Sequence, residues 1–370
     1  MALSLHSLSC KHFRNLQTKN IQFSETLTIL QGPNASGKTN TLEAIQLICT
    51  GYSSRHSTAE QLLQKDSSQG LLKGKLLGDQ RVLDIEIHLQ KEDKPSDEAH
   101  FTKTYIKNGK KVQPSIISGT LPTILFTPDH LRLIKDGARI RREEIDTFCV
   151  QFSQPYQSIL KTYQHTLEQR NKLLKESPGN NELIHSLDEI LSKTGAQLVK
   201  ARMQCLEHLK PFYFSMYQEI APKEEVSFEY ISSGISLVPH ASLDDIAEKL
   251  LQGLKEKRDQ DKQTGATSIG PHRDDILFCL NGQSARIYGS QGQQRSLVLA
   301  WKLSLVRYTE EFLGKRPLLL LDDVMSELDA TRRGTITQFL QQDIQTIIST
   351  THEGYFDQET LNNAEIIPYP

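Results

Sequence analysis

TLTILQGPNASGKTNTLEAIQLICT, residues 26–50, decides the fold. An apolar run, TLTIL, leads into G-x-x-x-x-G-K-T at Gly32, Gly37, Lys38 and Thr39, and the following TNTLEAIQLI places Leu42, Ile45 and Ile48 on one helical stripe. A strand, a glycine-rich turn and a helix in that order gather backbone N–H groups and the positive end of a helix at one point, which is what a chain of phosphates needs. Lys38 then reaches the outer phosphates of a nucleotide and Thr39 offers its hydroxyl to Mg²⁺. Gly32, Pro33, Asn34, Ala35, Ser36, Gly37, Lys38, Thr39 and Asn40 are the expected ATP-binding residues.

A loop of this kind needs an acid on a neighbouring strand. RPLLLLDD (316–323) is a continuous apolar run ending in two carboxylates, the pattern of a buried parallel strand with acids at its C-terminal edge. Alone it would also suit a core strand meeting a polar loop. Beside Lys38 and Thr39, it makes Asp322 the expected second ligand for Mg²⁺ and Asp323 the group that orients or deprotonates an attacking water.

Between these two stretches the period of the sequence changes twice. VLDIEIHL (82–89) alternates, with Leu83, Ile85, Ile87 and Leu89 on one face, and predicts a half-buried antiparallel strand that pairs with FTKTYIK (101–107) across KEDKPSDEAH (91–100). From about 125 to 260 the spacing is helical: Tyr156, Leu160, Tyr163, Leu167 and Leu174, then, after SPGNN (177–181), Leu183, Leu187, Ile190, Leu191 and Leu198. These predict two antiparallel helices forming an arm of about 30 Å. LKEKRDQDKQTGATS (254–268) reads as a mobile linker or loop, and strands return at ILFCL (276–280), PLLLLDD (317–323) and QTIIST (345–350). The expected architecture is α/β: a nucleotide-binding head from 1–120 and 265–370, combining a mixed sheet with an antiparallel one, and an inserted helical lobe from 121–264.

Composition narrows the class. No apolar run approaches the 18 residues of a membrane span, and the N-terminus lacks the basic flank and apolar core of a secretory signal, so a cytoplasmic protein with no membrane partner is expected. The five cysteines are widely spaced with no CxxC pair, which argues against a disulfide framework or a zinc site. A net charge of −2 supplies no global attraction for nucleic acid. Local groups remain: Lys107, Lys110 and Lys111; Arg139, Arg141 and Arg142; Lys255, Lys257 and Arg258.

YGSQGQQRS (288–296) runs into SLVLAWKLSLVRYTEEFL, so SQGQQ falls at a helix N-terminus, a second place suited to an anion. With the strand-end Asp322 following and SELD (326–329) after it, the pattern resembles the signature loop, Walker B strand and D-loop of ABC-type ATPases. That resemblance implies that Ser290, Gln291, Gly292 and Gln293 of one copy close over the γ-phosphate held by the P-loop of another, making an ATP-dependent homodimer that hydrolysis releases. It also puts His352, in STTHEG (349–354), at the switch-histidine position. The long helical interval between the motif sets is similar to the SMC-like branch rather than to transporter subunits, but too short for its large members.

KHFRNL (11–16), GPNASGKTNTLEAI (32–45), the pair Ser54 and Arg55, LFTPDHLRLIKDGARIRREEID (125–146), IGPHRDDI (269–276), GSQGQQRS and LLLLDDVMSELD (318–329) together resemble the RecF family over nearly the whole chain. The resemblance implies that Arg14 and Arg55 approach the nucleotide. It further implies ATP-dependent binding of single-stranded or gapped DNA, partnership with RecO and RecR in loading RecA at gaps, and a role in replication, repair and the SOS response to damage. Asp323 stands where most ABC ATPases carry Glu, which implies slow, DNA-stimulated turnover, and TPDHLRLI contains no recognisable Q-loop glutamine. His272, Asp274 and Asp275 of GPHRDD could mimic a metal cluster, but match no common zinc spacing; a turn with Arg273 paired to a carboxylate is the expected reading. A transporter-type ATPase subunit and a nucleotide-binding scaffold without a DNA role are the alternatives.

Overall fold

The structure is a computed structural model that describes residues 3–53, 55, 57–78, 81–92, 100–236 and 241–370. Ser54, and residues 93–99 of the KEDKPSDEAH loop, lie outside the described residues. The chain forms two compact units, Met1–Arg132 with Ser215–Pro222 and Arg295–Pro370, and Leu133–Phe214 with Lys223–Gln294.

In the first unit, five strands run in the spatial order Ala364–Pro368, Leu27–Gln31, Thr346–Thr350, Leu318–Asp322, Thr123–Phe126. The expected mixed sheet is parallel in all four of these pairings. Parallel order leaves both faces of the central strands covered, and Leu318, Leu319, Leu320 and Leu321 are each fully buried. A six-stranded antiparallel sheet lies beside it in the order Leu16–Gln22, Ser4–Phe13, Gln69–Gly78, Arg81–Glu92, His100–Lys107, Lys110–Val112. The expected hairpin is present, with Ile87 opposite Tyr105 and Leu89 opposite Lys103.

The helix Lys38–Thr50 fills the space between the two sheets. Ile45, Leu47 and Ile48 share one core with Leu72, Leu76 and Ile85 of the antiparallel sheet and with Leu30, Leu320 and Ile347 of the parallel one. A helix packed on both sides needs mostly apolar or small residues all round; Ala44, Ile45, Leu47, Ile48 and Cys49 supply them, with Glu43 and Gln46 as buried polar exceptions. Each fully buried Leu or Ile contributes about 1.5–3 kcal/mol, so the helix start that faces the phosphate-binding turn is firmly anchored.

The second unit is built on a helical hairpin, Gln154–Glu176 and Asn181–Ile220. Its 40-residue second helix is about 60 Å long at 1.5 Å per residue, and its last turns, from Ser215, belong to the first unit. Three contacts give the register. Arg170 pairs with Asp188 at 2.6 Å, Tyr163 lies against Gly195, and Tyr156 shares Asp146 with Arg202. Each step of seven up one helix is matched by seven down the other, which makes the pair antiparallel. Of the expected apolar face Leu187, Leu191 and Leu198 are buried, but Leu183 and Ile190 are exposed, and Ile184, Asp188 and Ser192 are buried in addition, because the seam accommodates ion pairs that an apolar count does not register.

Residues 254–268 are ordered, not a mobile linker. Arg258–Thr264 is helical, and Asp261, fully buried, accepts from Arg170 Nη1 at 2.8 Å. ILFCL also sits differently from expectation. As Asp275–Leu280 it pairs antiparallel with Val226–Ile231 and with Gln283–Ser284, so 265–294 groups with the inserted lobe and not with the head. The reason is backbone pairing: its partner strands lie in that lobe.

Within this unit, RREEID and GPHRDD hold each other. Arg141, nearly buried, grips Asp275 with two hydrogen bonds of 2.6 and 2.9 Å, and Arg142 donates to the Asp274 carbonyl at 2.7 Å. Tyr230 and the Ser233 N–H donate to the Asp274 carboxylate. Arg273 donates to the Thr267 carbonyl at 3.2 Å, in place of the expected carboxylate. Among the described residues no group of three or more His, Cys, Asp or Glu side chains is arranged to hold a metal ion.

Candidate nucleotide-binding site

A cleft of about 200 Å³ opens where the strands Leu27–Gln31 and Leu318–Asp322 end, at the N-terminus of the helix Lys38–Thr50. It is lined by Asn15, Asn34, Ala35, Gly37, Lys38, Thr39, Asn40, Asp322, Asp323 and Ser349. Two glycines shape the turn. A Cβ on Gly32 would lie 2.3 Å from the Tyr369 carbonyl oxygen, and Gly37 adopts φ +102°, where a side chain is strained.

The side chains converge as the sequence predicts. Thr39 Oγ1 donates to Asp322 Oδ1 at 2.9 Å, and Ser349 Oγ donates to the same oxygen at 2.7 Å. Lys38 Nζ folds over the turn and donates to the Gly32 and Pro33 carbonyls, both at 2.7 Å. Burial lowers the Lys38 pKa against the opposing pull of Asp323 and Asp322. Ser36 Oγ is buried without a protein partner, an orphaned polar atom inside the turn. Asn15 Nδ2 donates to the Ala35 carbonyl at 3.0 Å and buttresses the loop from outside.

Asp323 takes the left-handed φ of +50°, which a non-glycine residue adopts at a cost. Its backbone N–H donates to Ser349 Oγ at 3.0 Å, and its Oδ1 is buried with no hydrogen-bond partner. Burial and the neighbouring Asp322 charge raise its pKa. A carboxylate kept short of partners and pushed toward higher pKa is suited to accept a proton.

Other expected residues stand farther from this chemistry. Arg14 and Arg55 both meet Glu43, at 3.0 and 3.6 Å. His352 is exposed and lines a separate, larger hollow with Gly32, Pro33, Asn34, Thr351 and Tyr369. Ser290, Gln291, Gly292 and Gln293 belong to the second unit. There the helix start is capped and not open: Gln293 N–H donates to Ser290 Oγ at 3.2 Å, and Ser290 N–H donates to Gln293 Oε1 at 2.8 Å, a reciprocal box. Ser349, Asn15 and Glu43 were missed by the sequence reading. Their signal is positional: Ser349 ends a strand beside the P-loop strand, and Glu43 is the one acid in a helix buried along most of its length.

These features define the class, an ABC-type P-loop ATPase head with an inserted helical lobe. Comparison with known proteins narrows it. The family model described as the RecF/RecN/SMC N terminal domain matches residues 4–366. The chain is 34% identical to the DNA replication and repair protein RecF of Cyanothece sp. over 98% of its length and 95% of that protein's. It is 37% identical to the RecF of Streptococcus suis over 94% of this chain and 92% of that one. A solved structure of the recombination mediator protein RecF-ATPrS in the RecFOR pathway superposes with a TM-score of 0.87 at 32% identity, covering 96% of this chain and 94% of that one. An Smc head domain from Pyrococcus furiosus shares the fold at 15% identity and a TM-score of 0.56. The chain belongs to the RecF family.

Proposed function

We propose that this chain is an ATP-switched DNA-binding protein of replication and recombinational repair. ATP joins two copies, the dimer holds single-stranded or gapped DNA, and slow, DNA-stimulated hydrolysis releases it. RecO and RecR are its partners in loading RecA at single-strand gaps. The observation that carries this reading is the joint of Thr39 to Asp322, 283 residues apart in sequence and 2.9 Å apart in space, with Lys38 beside it. The naming of the relatives as replication and repair proteins supports the DNA role over a transporter subunit or a bare scaffold.

The residues fit a magnesium nucleotide. Thr39 Oγ1 and the Asp322 carboxylate are hard oxygen donors that would hold Mg²⁺, which when bound would neutralise phosphate charge. Lys38 exchanges its loop carbonyls for phosphate oxygens, and Ser36 supplies a hydroxyl that has no other partner. Asp323 accepts the proton of an attacking water. Ser290 to Gln293 of the partner copy, at a helix start, exchange their capping box for the terminal phosphate, so two copies surround what one leaves open. His352 is assigned to the same terminal phosphate.

Solution mass with ADP, ATP and a nonhydrolysable ATP analogue tests the reading. A dimer with the analogue alone or with ATP, and a monomer with ADP, is expected. A monomer in every state, at saturating analogue and DNA, would overturn it.

A further inference from the structure

Beside the P-loop, one buried carboxylate gathers an excess of positive charge. Glu43, with its side chain 3% exposed, receives Arg14 Nε and Nη2, each at 3.0 Å, and the hydroxyls of Ser53 at 2.6 Å and Ser57 at 2.9 Å. Arg55 Nη1 stands 3.6 Å from its other oxygen. Lys103 closes the cluster by donating to the Ser57 carbonyl at 2.6 Å. Three cations thus surround a single anion, and a surplus of that sign next to a phosphate-binding loop is matched by an anionic ligand.

The two arginines are held in different ways. Arg14 makes a forked pair with Glu43 and donates again to Ser57 Oγ at 2.5 Å, so its planar head is committed to protein acceptors. Arg55 has a side chain 48% exposed, and among the described residues its guanidinium makes the long approach to Glu43 and a bond of 3.4 Å to Asn40 Oδ1. Its backbone is nonetheless fixed, because Ser53 Oγ accepts the Arg55 N–H at 3.1 Å while donating to Glu43. Asn40 continues the network to the loop itself: its Nδ2 donates to Asn15 Oδ1 at 2.7 Å, and Asn15 donates to the Ala35 carbonyl.

We infer that Glu43 is a positioning residue that aims Arg55 at the anionic group bound in the P-loop, while Arg14 is the fixed counter-ion of Glu43 and not a ligand contact. The inference rests on the nucleotide reading above and separates two arginines that the family resemblance treats alike. A half-exposed pair at long range is weakly held and exchanges for a phosphate oxygen, to which a guanidinium binds more strongly. Glu43 and Ser53 confine Arg55 to the region from which that exchange is short.

Titration with a fluorescent ATP analogue separates this from a merely structural role. Glu43→Gln and Arg55→Ala are each expected to weaken binding about tenfold, and the double variant to bind no more weakly than Arg55→Ala alone, the coupling expected of residues acting through one another. Ser53→Ala, a milder change that serves if Glu43→Gln folds poorly, is expected to weaken binding about threefold and to do nothing further once Arg55 is gone. Equal losses in the presence and absence of Arg55, or tighter binding by Glu43→Gln, would overturn the inference and leave the nucleotide reading intact. Failure of the unmodified chain to bind the analogue would overturn both.

Discussion

At the scale of single residues, Asp323 shows activity and stability pulling against each other. Its carboxylate lies next to that of Asp322, is partly desolvated, and leaves one oxygen without a partner, so its pKa rises above the ordinary 3.8. For an acid raised in the folded state, the native protein holds the proton longer than the unfolded chain does. Stability therefore falls as pH climbs through the interval above 3.8, and at neutral pH the charge is a net cost. Asp323→Asn should accordingly melt at a higher temperature than the unmodified protein at pH 7, with the difference shrinking toward pH 4, as followed by circular dichroism. The same change removes the proposed proton acceptor, so phosphate release should fall by about 10²–10⁴ while nucleotide binding persists. A variant that hydrolyses at the unmodified rate would remove Asp323 from the chemistry. Lys38 and Thr39 were legible in the sequence because their spacing is dictated by a loop that must fit phosphates, and Asp322 because it ends a continuous apolar run. Ser349 was not, since a serine ending a strand acquires meaning only when sheet order puts that strand between the P-loop and the acids.

At the scale of elements, apolar periodicity located the strands and the two helices of the hairpin, and on the second helix found Leu187, Leu191 and Leu198 but misplaced Leu183 and Ile190. Its seam includes Asp188 and is closed by Arg170, both fully buried, and by Arg202 paired to Asp146, so an apolar stripe drawn through Leu183 and Ile190 misses it. Charged residues at seven-residue steps resemble a solvated face until their partners are known. The turn that ends in GPHRDD was unreadable for the same reason, its partners lying more than a hundred residues away in RREEID. This turn carries a pH dependence of its own. His272 Nε2 meets the Thr267 carbonyl at 3.0 Å, which can only accept, so that nitrogen bears the hydrogen and Nδ1 accepts from the Tyr163 hydroxyl at 2.7 Å. The ring is neutral; burial first, then the nearby Arg273, Arg142 and Arg170, hold its pKa down to about 4. Between its ordinary 6.5 and about 4 the unfolded chain takes up a proton that the folded one refuses, so stability drops as pH falls through that window. At about 1.4 kcal/mol per pH unit the loss approaches 3 kcal/mol. Urea unfolding at pH 7.5 and pH 4.5 should show it, and His272→Gln should lose most of the difference; an unchanged difference would assign the effect to other groups.

At the scale of the whole molecule, the question posed by the proposed function is how a chain of net charge −2 would bind a polyanion, and why ATP would control it. Several cations suggested by the sequence are already committed. Arg141 is buried against Asp275, Arg142 serves the Asp274 carbonyl, Arg258 pairs with Asp188, and Lys107 donates to Thr120 at 3.0 Å. Lys110 and Lys111 at one site, and Lys255 and Lys257 at another, remain exposed. Such small groups neutralise few phosphates, and because affinity varies with salt as roughly −0.9 per phosphate contacted, one copy alone should hold DNA weakly and with a shallow salt dependence. Two copies on one duplex double the number of contacts while the second set binds from a high effective concentration, so pairing by itself converts a weak binder into a strong one. In the proposed dimer ATP would gate DNA by counting, with no change needed in either lysine group. The expected signature is a log–log plot of affinity against salt about twice as steep with a nonhydrolysable ATP analogue as without nucleotide. Lys38→Ala should keep the shallow line under both conditions, and Lys110→Ala with Lys111→Ala should flatten both lines in proportion. Equal slopes with and without the analogue, alongside tighter binding, would mean that ATP reshapes the DNA surface of each copy instead of bringing two surfaces together.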